Sequence, residues 1–289
     1  HVRLHSFPTR RSSDLPTRFP IPDGVAIPRG ATRLLALSRS WDLVSDSFAD
    51  VALDPGALLP ESELLYSFQV LTDLHLATDA AHLHNRQFEA ALRDLVATDP
   101  DSLGLFLVGD TTDHSLEPEW EEFARIVAAV RPEGSPPLYA ALGNHDFAAQ
   151  GDRYEDLIAL YRRYTGAPGP YFRADTDAGV FLVLGSQSMS SRASGFADLG
   201  EDQLAWLEGQ LSAVGSGGES GSPTGSSTGS PGPVFVFLHQ PLKDTVSGSL
   251  VSVDPSVQVW HGVLQDAALR ALLDRYPNVV LFTGHTHWQ

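Results

Sequence analysis

From Leu64 onward the chain alternates short apolar runs with amphipathic stretches, and five of the six runs end directly in a polar cluster. The runs are Phe68–Leu71, Leu103–Val108, Leu138–Leu142, Val180–Leu184, Val234–Leu238 and Val279–Phe282. Each is short enough to be a buried strand. Between them, Phe88, Leu92 and Leu95 recur at helical spacing, as do Trp120, Phe123, Val127 and Val130. Leu204, Leu207, Leu211 and Val214 form a third such set, and Leu264, Leu269 and Leu272 a fourth. Spacings of three and four residues place each set on one buried helix face. Strands alternating with helices predict a layered α/β fold, whose ligands gather at the carboxyl ends of the strands.

That is where the chemistry lies. Phe68–Leu71 leads into Asp73-Leu74-His75, and Leu103–Val108 into Gly109-Asp110-Thr111-Thr112-Asp113. Leu138–Leu142 leads into Gly143-Asn144-His145-Asp146, Val234–Leu238 into His239, and Val279–Phe282 into Gly284-His285-Thr286-His287. A single such cluster carries little weight. Five on one sheet edge bring imidazoles, carboxylates and an amide together, a donor set that suits divalent transition metals. Buried together without a cation they would leave polar groups unpaired. Two residues apart on an extended segment, Asp73 and His75 are expected on the same side and able to grip one ion. The glycine at 284 predicts a turn that lets His285 and His287 diverge. Gly109, Gly143 and Gly284 each precede a proposed donor, where a small residue lets the backbone approach closely.

Composition narrows the function. The 289 residues include no cysteine, which excludes disulfides and thiolate zinc sites. A formal charge of −17 argues against a nucleic-acid-coating surface, and bound metal would supply the local positive charge an anionic substrate needs. No stretch approaches the roughly 18 consecutive apolar residues of a membrane span. Lys243 is the only lysine against many arginines, as in a GC-rich bacterial genome. The compartment, cytoplasmic or exported, is left open.

The organisation outside the alternating region is plainer. His5–Leu15 reads HSFPTRRSSDL, which resembles the translation of a short-read sequencing adapter. Residues 1–15 are therefore set aside, with a missing native N-terminus and a truncated C-terminus after Gly284–His287 as the corresponding expectations. Residues 16–63 are turn-rich, with short runs at Arg33–Leu37 and Trp41–Val44 that predict a small β-rich appendage. Residues 64–289 are expected to form the main domain. Within it Gly215–Pro233, almost all Gly, Ser, Pro and Thr, reads as a flexible surface insertion.

The ordered set DxH, GDxxD, GNHD, a lone His and GHxH resembles the calcineurin-like metallophosphoesterases, over about Phe68 to His287. The resemblance implies a four-layer α/β/β/α sandwich. It implies two divalent transition-metal ions (manganese, iron, zinc or cobalt), with Asp73, His75 and His287 on the first. Asp110 would bridge both, and Asn144, His239 and His285 would complete the second. It further implies hydrolysis of a small phosphate ester, mono- or diester, by a hydroxide bridging the ions. His145 would contact phosphate and leaving group, and Asp113 would orient its ring. Asp146 also follows the pattern, without a defined role. His82, His84 and His114 match no motif and read as exposed loop histidines. Purple acid phosphatases carry tyrosine where this chain has Asp113, which disfavours a purple enzyme. The family's repair nucleases share the motifs, but the acidic balance and the lack of basic runs disfavour a DNA substrate. The alternatives are a catalytically decayed metal-binding cell-surface protein and a carbohydrate-binding module. Intact His145 and Asp113 argue against the first, and a linker lying between two motifs argues against the second.

Overall fold

The computed structural model describes residues 66–147, 153–174, 176, 179–188, 195–215, 233–246, 249 and 262–287, with strand segments 27–28, 33–39, 46–52 and 58–59 before them. Residues 1–15 and most of the Gly/Ser insertion lie outside these. Two units divide the chain, one of residues 1–65 with 288–289 and one of Tyr66–His287.

In the first unit, β1 (Ile27–Pro28) pairs in parallel with β4 (Leu58–Leu59), and β2 (Arg33–Arg39) pairs antiparallel with β3 (Asp46–Ala52). The run at Arg33–Leu37 falls in β2. Trp41–Val44 lies outside the described residues.

The described residues of the second unit form two sheets. β5 (Gln69–Leu71), β6 (Leu105–Val108) and β7 (Leu138–Ala141) form a parallel sheet. β8 (Phe172–Ala174), β9 (Val180–Val183), β10 (Val234–Phe237) and β11 (Val279–Phe282) form the other, in the order β11-β10-β9-β8 with only β8 antiparallel. Among the described residues five helices accompany them: α1 (Leu83–Thr98), α2 (Glu117–Val130), α3 (Tyr154–Thr165), α4 (Gly200–Gly215) and α5 (Asp266–Leu273).

Strand alternation sorts side chains between two cores. Phe181, Val183 and Phe237 join the cluster that contains β6, Trp120 and Phe123, while Leu182, Val234 and Val236 join Leu207, Leu211 and Leu269. Aromatic rings fill the space between the sheets. Phe106 stacks on Phe237 at 4.3 Å and on Phe181 at 5.0 Å, and Phe68 meets Phe106 edge-on. Such pairs each add about 0.5–1.5 kcal/mol beyond the area they bury. Together these contacts give the helix–sheet–sheet–helix sandwich.

Two expectations need correction. Leu264 is 48% exposed and precedes α5, so it is no part of that helix's buried face. Helix α3, which buries Leu157 and Tyr161, is absent from the periodic sets in the sequence. Its apolar positions are interrupted by charge (YEDLIALYRRYT), which weakens the periodic signal.

Candidate metal centre

The donors sit where the strands end, but the backbone there is not extended. Asp73, His75, Asp110, His285 and His287 all adopt left-handed conformations, with φ between 46° and 71°. For residues with a Cβ this conformation is strained and persists only where the surroundings enforce it. The extended-strand picture of Asp73 and His75 is therefore wrong, although both side chains do reach one place. Backbone bonds between the loops enforce the turns. The amide of Asp73 donates to Gly109 O at 3.1 Å, that of His75 to Asp110 O at 2.9 Å, and that of Gly284 to His239 O at 2.9 Å.

The glycines explain how the loops come so close. A Cβ on Gly109, itself at φ 84°, would lie 2.6 Å from the His239 ring. One on Gly284 would lie 2.5 Å from Asp73 Oδ2, and one on Gly143 would overlap Asp110. Each glycine thus makes room for a donor from a different motif.

Among the described residues, three groups of donors converge within 4.8 Å: Asp73, His75 and His287; Asp110, His239 and His285; and His75, Asp113 and His145. His285 and His287 fall in separate groups, as the turn at Gly284 predicts. Asp110 Oδ2 stands between the first two, 3.0 Å from His239 Nε2 and 3.7 Å from His75 Nε2. The third group is closed by ordinary hydrogen bonds. His75 Nδ1–H donates to Asp113 Oδ1 at 3.1 Å, and His145 Nδ1–H donates to the Asp113 main-chain carbonyl at 2.7 Å. Asp113 thus holds the His145 ring through its main-chain carbonyl, while its carboxylate lies 3.5 Å from that ring and accepts from His75.

The residues fit a cation on their own evidence. His239, fully buried, donates Nδ1–H to Val108 O at 2.7 Å, which leaves Nε2 as the free ring nitrogen. That Nε2 has no hydrogen-bond partner, its approach to Asp110 being off line, and neither has the buried Oδ1 of Asn144. His75 Nε2 and His287 Nε2 face each other at 3.2 Å, with Asp73 Oδ1 2.9 Å from the latter. At most one proton can lie between such lone pairs. A ring anchored through one nitrogen with the other aimed at the cluster is how histidine presents itself to a metal.

The ionisation pattern agrees. Burial works to raise Asp73 and Asp110, yet His239 holds both below the usual carboxylate range, helped at Asp73 by His287. Burial works to lower His239, but Asp110 and Asp73 outweigh it and raise the ring to about 9. The bond to Asp73 raises His287, while burial lowers His75 despite Asp110. The protein by itself balances these carboxylates with protons on imidazole, the place a cation would take.

Residues 66–289 match the calcineurin-like phosphoesterase family, well over half of the chain. The chain belongs to that family. Its donor groups suit divalent metal ions. No curated protein matches it. A similar solved structure is a purple acid phosphatase from yellow lupin (Lupinus luteus) seeds, at 13% identity and a TM-score of 0.48. The alignment covers 83% of this chain and 40% of that one, so the chain spans well under half of the lupin protein's length.

Supporting residues were less legible. Asp146, fully buried, accepts from the amides of Thr112 at 3.0 Å and Gly143 at 2.9 Å and from the Thr112 hydroxyl at 3.0 Å. Its carboxylate therefore clips the β6 and β7 loops together, and burial, then Asp110, pushes its pKa up to about 6. Thr72 donates its hydroxyl to Val108 O at 2.9 Å, beside Asp73. His84 donates to the His75 carbonyl at 2.9 Å, and His82 and His84 are half-buried rather than exposed. Asp146 is marked in the sequence by the GNHD motif, and for Thr72 the available signal is a hydroxyl adjacent to a donor. His114 is exposed, as expected.

Proposed function

We propose that this protein hydrolyses a small phosphate ester, mono- or diester, at a pair of divalent transition-metal ions. The supporting observation is the position of Asp110 between two donor groups, Asp73/His75/His287 on one side and His239/His285 on the other. Asn144, whose Oδ1 is buried without a partner, would add a neutral donor to the second group, the role the family motif gives it. Imidazole and carboxylate donors suit manganese, iron, zinc or cobalt, and geometry and supply decide among them. When bound, such a pair lowers the pKa of water and neutralises charge on the phosphoryl oxygens.

The remaining work falls to the chain itself. His145 is 38% exposed, and its amide donates to Asp110 Oδ1 at 2.8 Å, so the ring is carried at the edge of the cluster. With Nδ1–H committed to the Asp113 carbonyl, Nε2 is the nitrogen left to carry a proton to the leaving oxygen. The walls of aspartate would repel an anionic substrate unless cations were in place, which makes hydrolysis conditional on metal.

The test is metal analysis together with a panel of phosphomonoesters, cyclic nucleotides and nucleotides assayed before and after chelation. The expected result is about two ions per chain, activity abolished by chelator and restored by manganese, iron, cobalt or zinc. An active protein carrying one ion or none would overturn the two-ion reading.

A further inference from the structure

The loop that carries Asp73 and His75 is held from outside the family motifs by the first turn of α1. His75 sits at φ 46°, a conformation that persists only while the peptide planes on either side of it are fixed. The plane before it is pinned by the His75 amide on Asp110 O at 2.9 Å. The plane after it is pinned at both ends. The Leu76 amide donates to Thr111 O at 3.1 Å, and the His75 carbonyl accepts from His84 Nδ1 at 2.9 Å. A carbonyl can only accept, so Nδ1 of His84 carries the proton and the bond has one direction. The next residue, Asn85, is fully buried and holds the same loop two residues further on. Its Oδ1 accepts from the Ala77 amide at 2.9 Å, and its Nδ2 donates to the carbonyls of Ala77 at 2.8 Å and Asp79 at 3.1 Å. His82 braces His84 in turn: its Nδ1 accepts from the His84 amide at 3.3 Å, and the two rings meet edge-on at 4.6 Å.

We propose that His84 is a positioning residue for the metal centre: its Nδ1–H locks the peptide after His75 in the left-handed turn and so directs the His75 ring into the Asp73/His75/His287 group. The inference rests on the metal-dependent reading above and extends it to a residue the sequence offered only as a loop histidine. Three features carry it. The bond is made to the donor residue itself. Asp110 and Thr111, which hold the other side of the turn, both lie in the loop after β6, so His84 is a support from a different element. And Asn85 already ties the loop to α1 at Ala77 and Asp79, so closing the loop does not account for a further bond at His75.

The test is manganese titration of the purified full chain, wild type against His84→Ala, His84→Asn and Leu211→Ala, with thermal melts of the metal-free proteins. Asparagine Nδ2 stands where histidine Nδ1 does, so it keeps the donor and drops the rest of the ring. His84→Ala is expected to bind manganese about tenfold more weakly, the lower end of what outer partners of metal ligands contribute. His84→Asn should recover most of the affinity. Leu211, 1% exposed in the other core, is the control for stability alone. Its alanine variant should melt earlier and bind manganese as the wild type does. Wild-type affinity in His84→Ala overturns the inference, and so does His84→Asn as weak as the alanine variant. Leu211→Ala as weak as His84→Ala overturns it too, since affinity would then follow stability. A wild-type chain that binds no manganese overturns the metal reading itself, a different pattern from these.

Discussion

The Asp113 carboxylate accepts a hydrogen bond from Nδ1 of His75 at 3.1 Å, on the side of the ring away from the donor cluster. This fixes the tautomer and turns Nε2 toward Asp110 and His287. Asp113→Asn should therefore act on metal binding first. An affinity loss of about 10–100-fold is expected, with activity lost to match at limiting metal. Isothermal titration with manganese checks it, and unchanged affinity with reduced turnover would return Asp113 to the role of orienting His145.

His145→Ala should keep the metal content of the wild type, because neither ring nitrogen lies in the two groups around Asp110. Turnover should drop by about 10²–10⁴-fold, as loss of a general acid does. The loss should be smaller for nitrophenyl phosphate, whose leaving group departs without a proton, than for an alkyl phosphate. Equal losses for both would make His145 a uniform phosphate binder.

Gly143→Ala tests the packing of the loops. The new Cβ would overlap Asp110, so the cost should be about 1–3 kcal/mol, with metal content falling as Asp110 is displaced. Gly209→Ala is the control. It lies exposed in α4 with nothing within 4 Å of the added Cβ, and should raise stability by about 0.5–1 kcal/mol. Thermal melts with metal analysis read both.

Metal affinity should rise with pH across the neutral range. Asp110 and Asp73 raise His239 to about 9, so in the metal-free protein the ring holds a proton that a cation must displace. Below about 9, displacement of one proton gives about a tenfold gain in affinity per pH unit. The same raised pKa stabilises the metal-free fold fully below the ordinary value of 6.5, and this contribution is lost as pH rises through about 9. Manganese titrations at several pH values, with melts of the metal-free protein alongside, check both signs. Affinity independent of pH would show that His239 is already neutral.

The strand ends were legible because strand and donor lie next to each other in sequence. An apolar run ending in Asp73, Asp110, Asn144, His239 or His285 needs no tertiary information to be seen. Helix α3 was harder, because charges at Glu155, Asp156, Arg162 and Arg163 break up the apolar stripe that buries Leu157 and Tyr161. Leu264 matched the spacing of the α5 face but lies before the helix starts at Asp266, since spacing alone does not locate the first turn.

The α/β alternation, the family motifs and the polar residues that follow the strands are readable from the chain alone. These depend on local periodicity and on the order of residues along the chain. How the donors meet depends on contacts between loops far apart in the chain. Left-handed turns at Asp73, His75, Asp110, His285 and His287 are unfavourable locally and exist because bonds between separate loops hold them. The choice of His75 rather than His145 as partner of the Asp113 carboxylate is of the same kind. Both rings are equally available to a reader of the chain, and the competition is settled by distances across loops 38 and 32 residues apart.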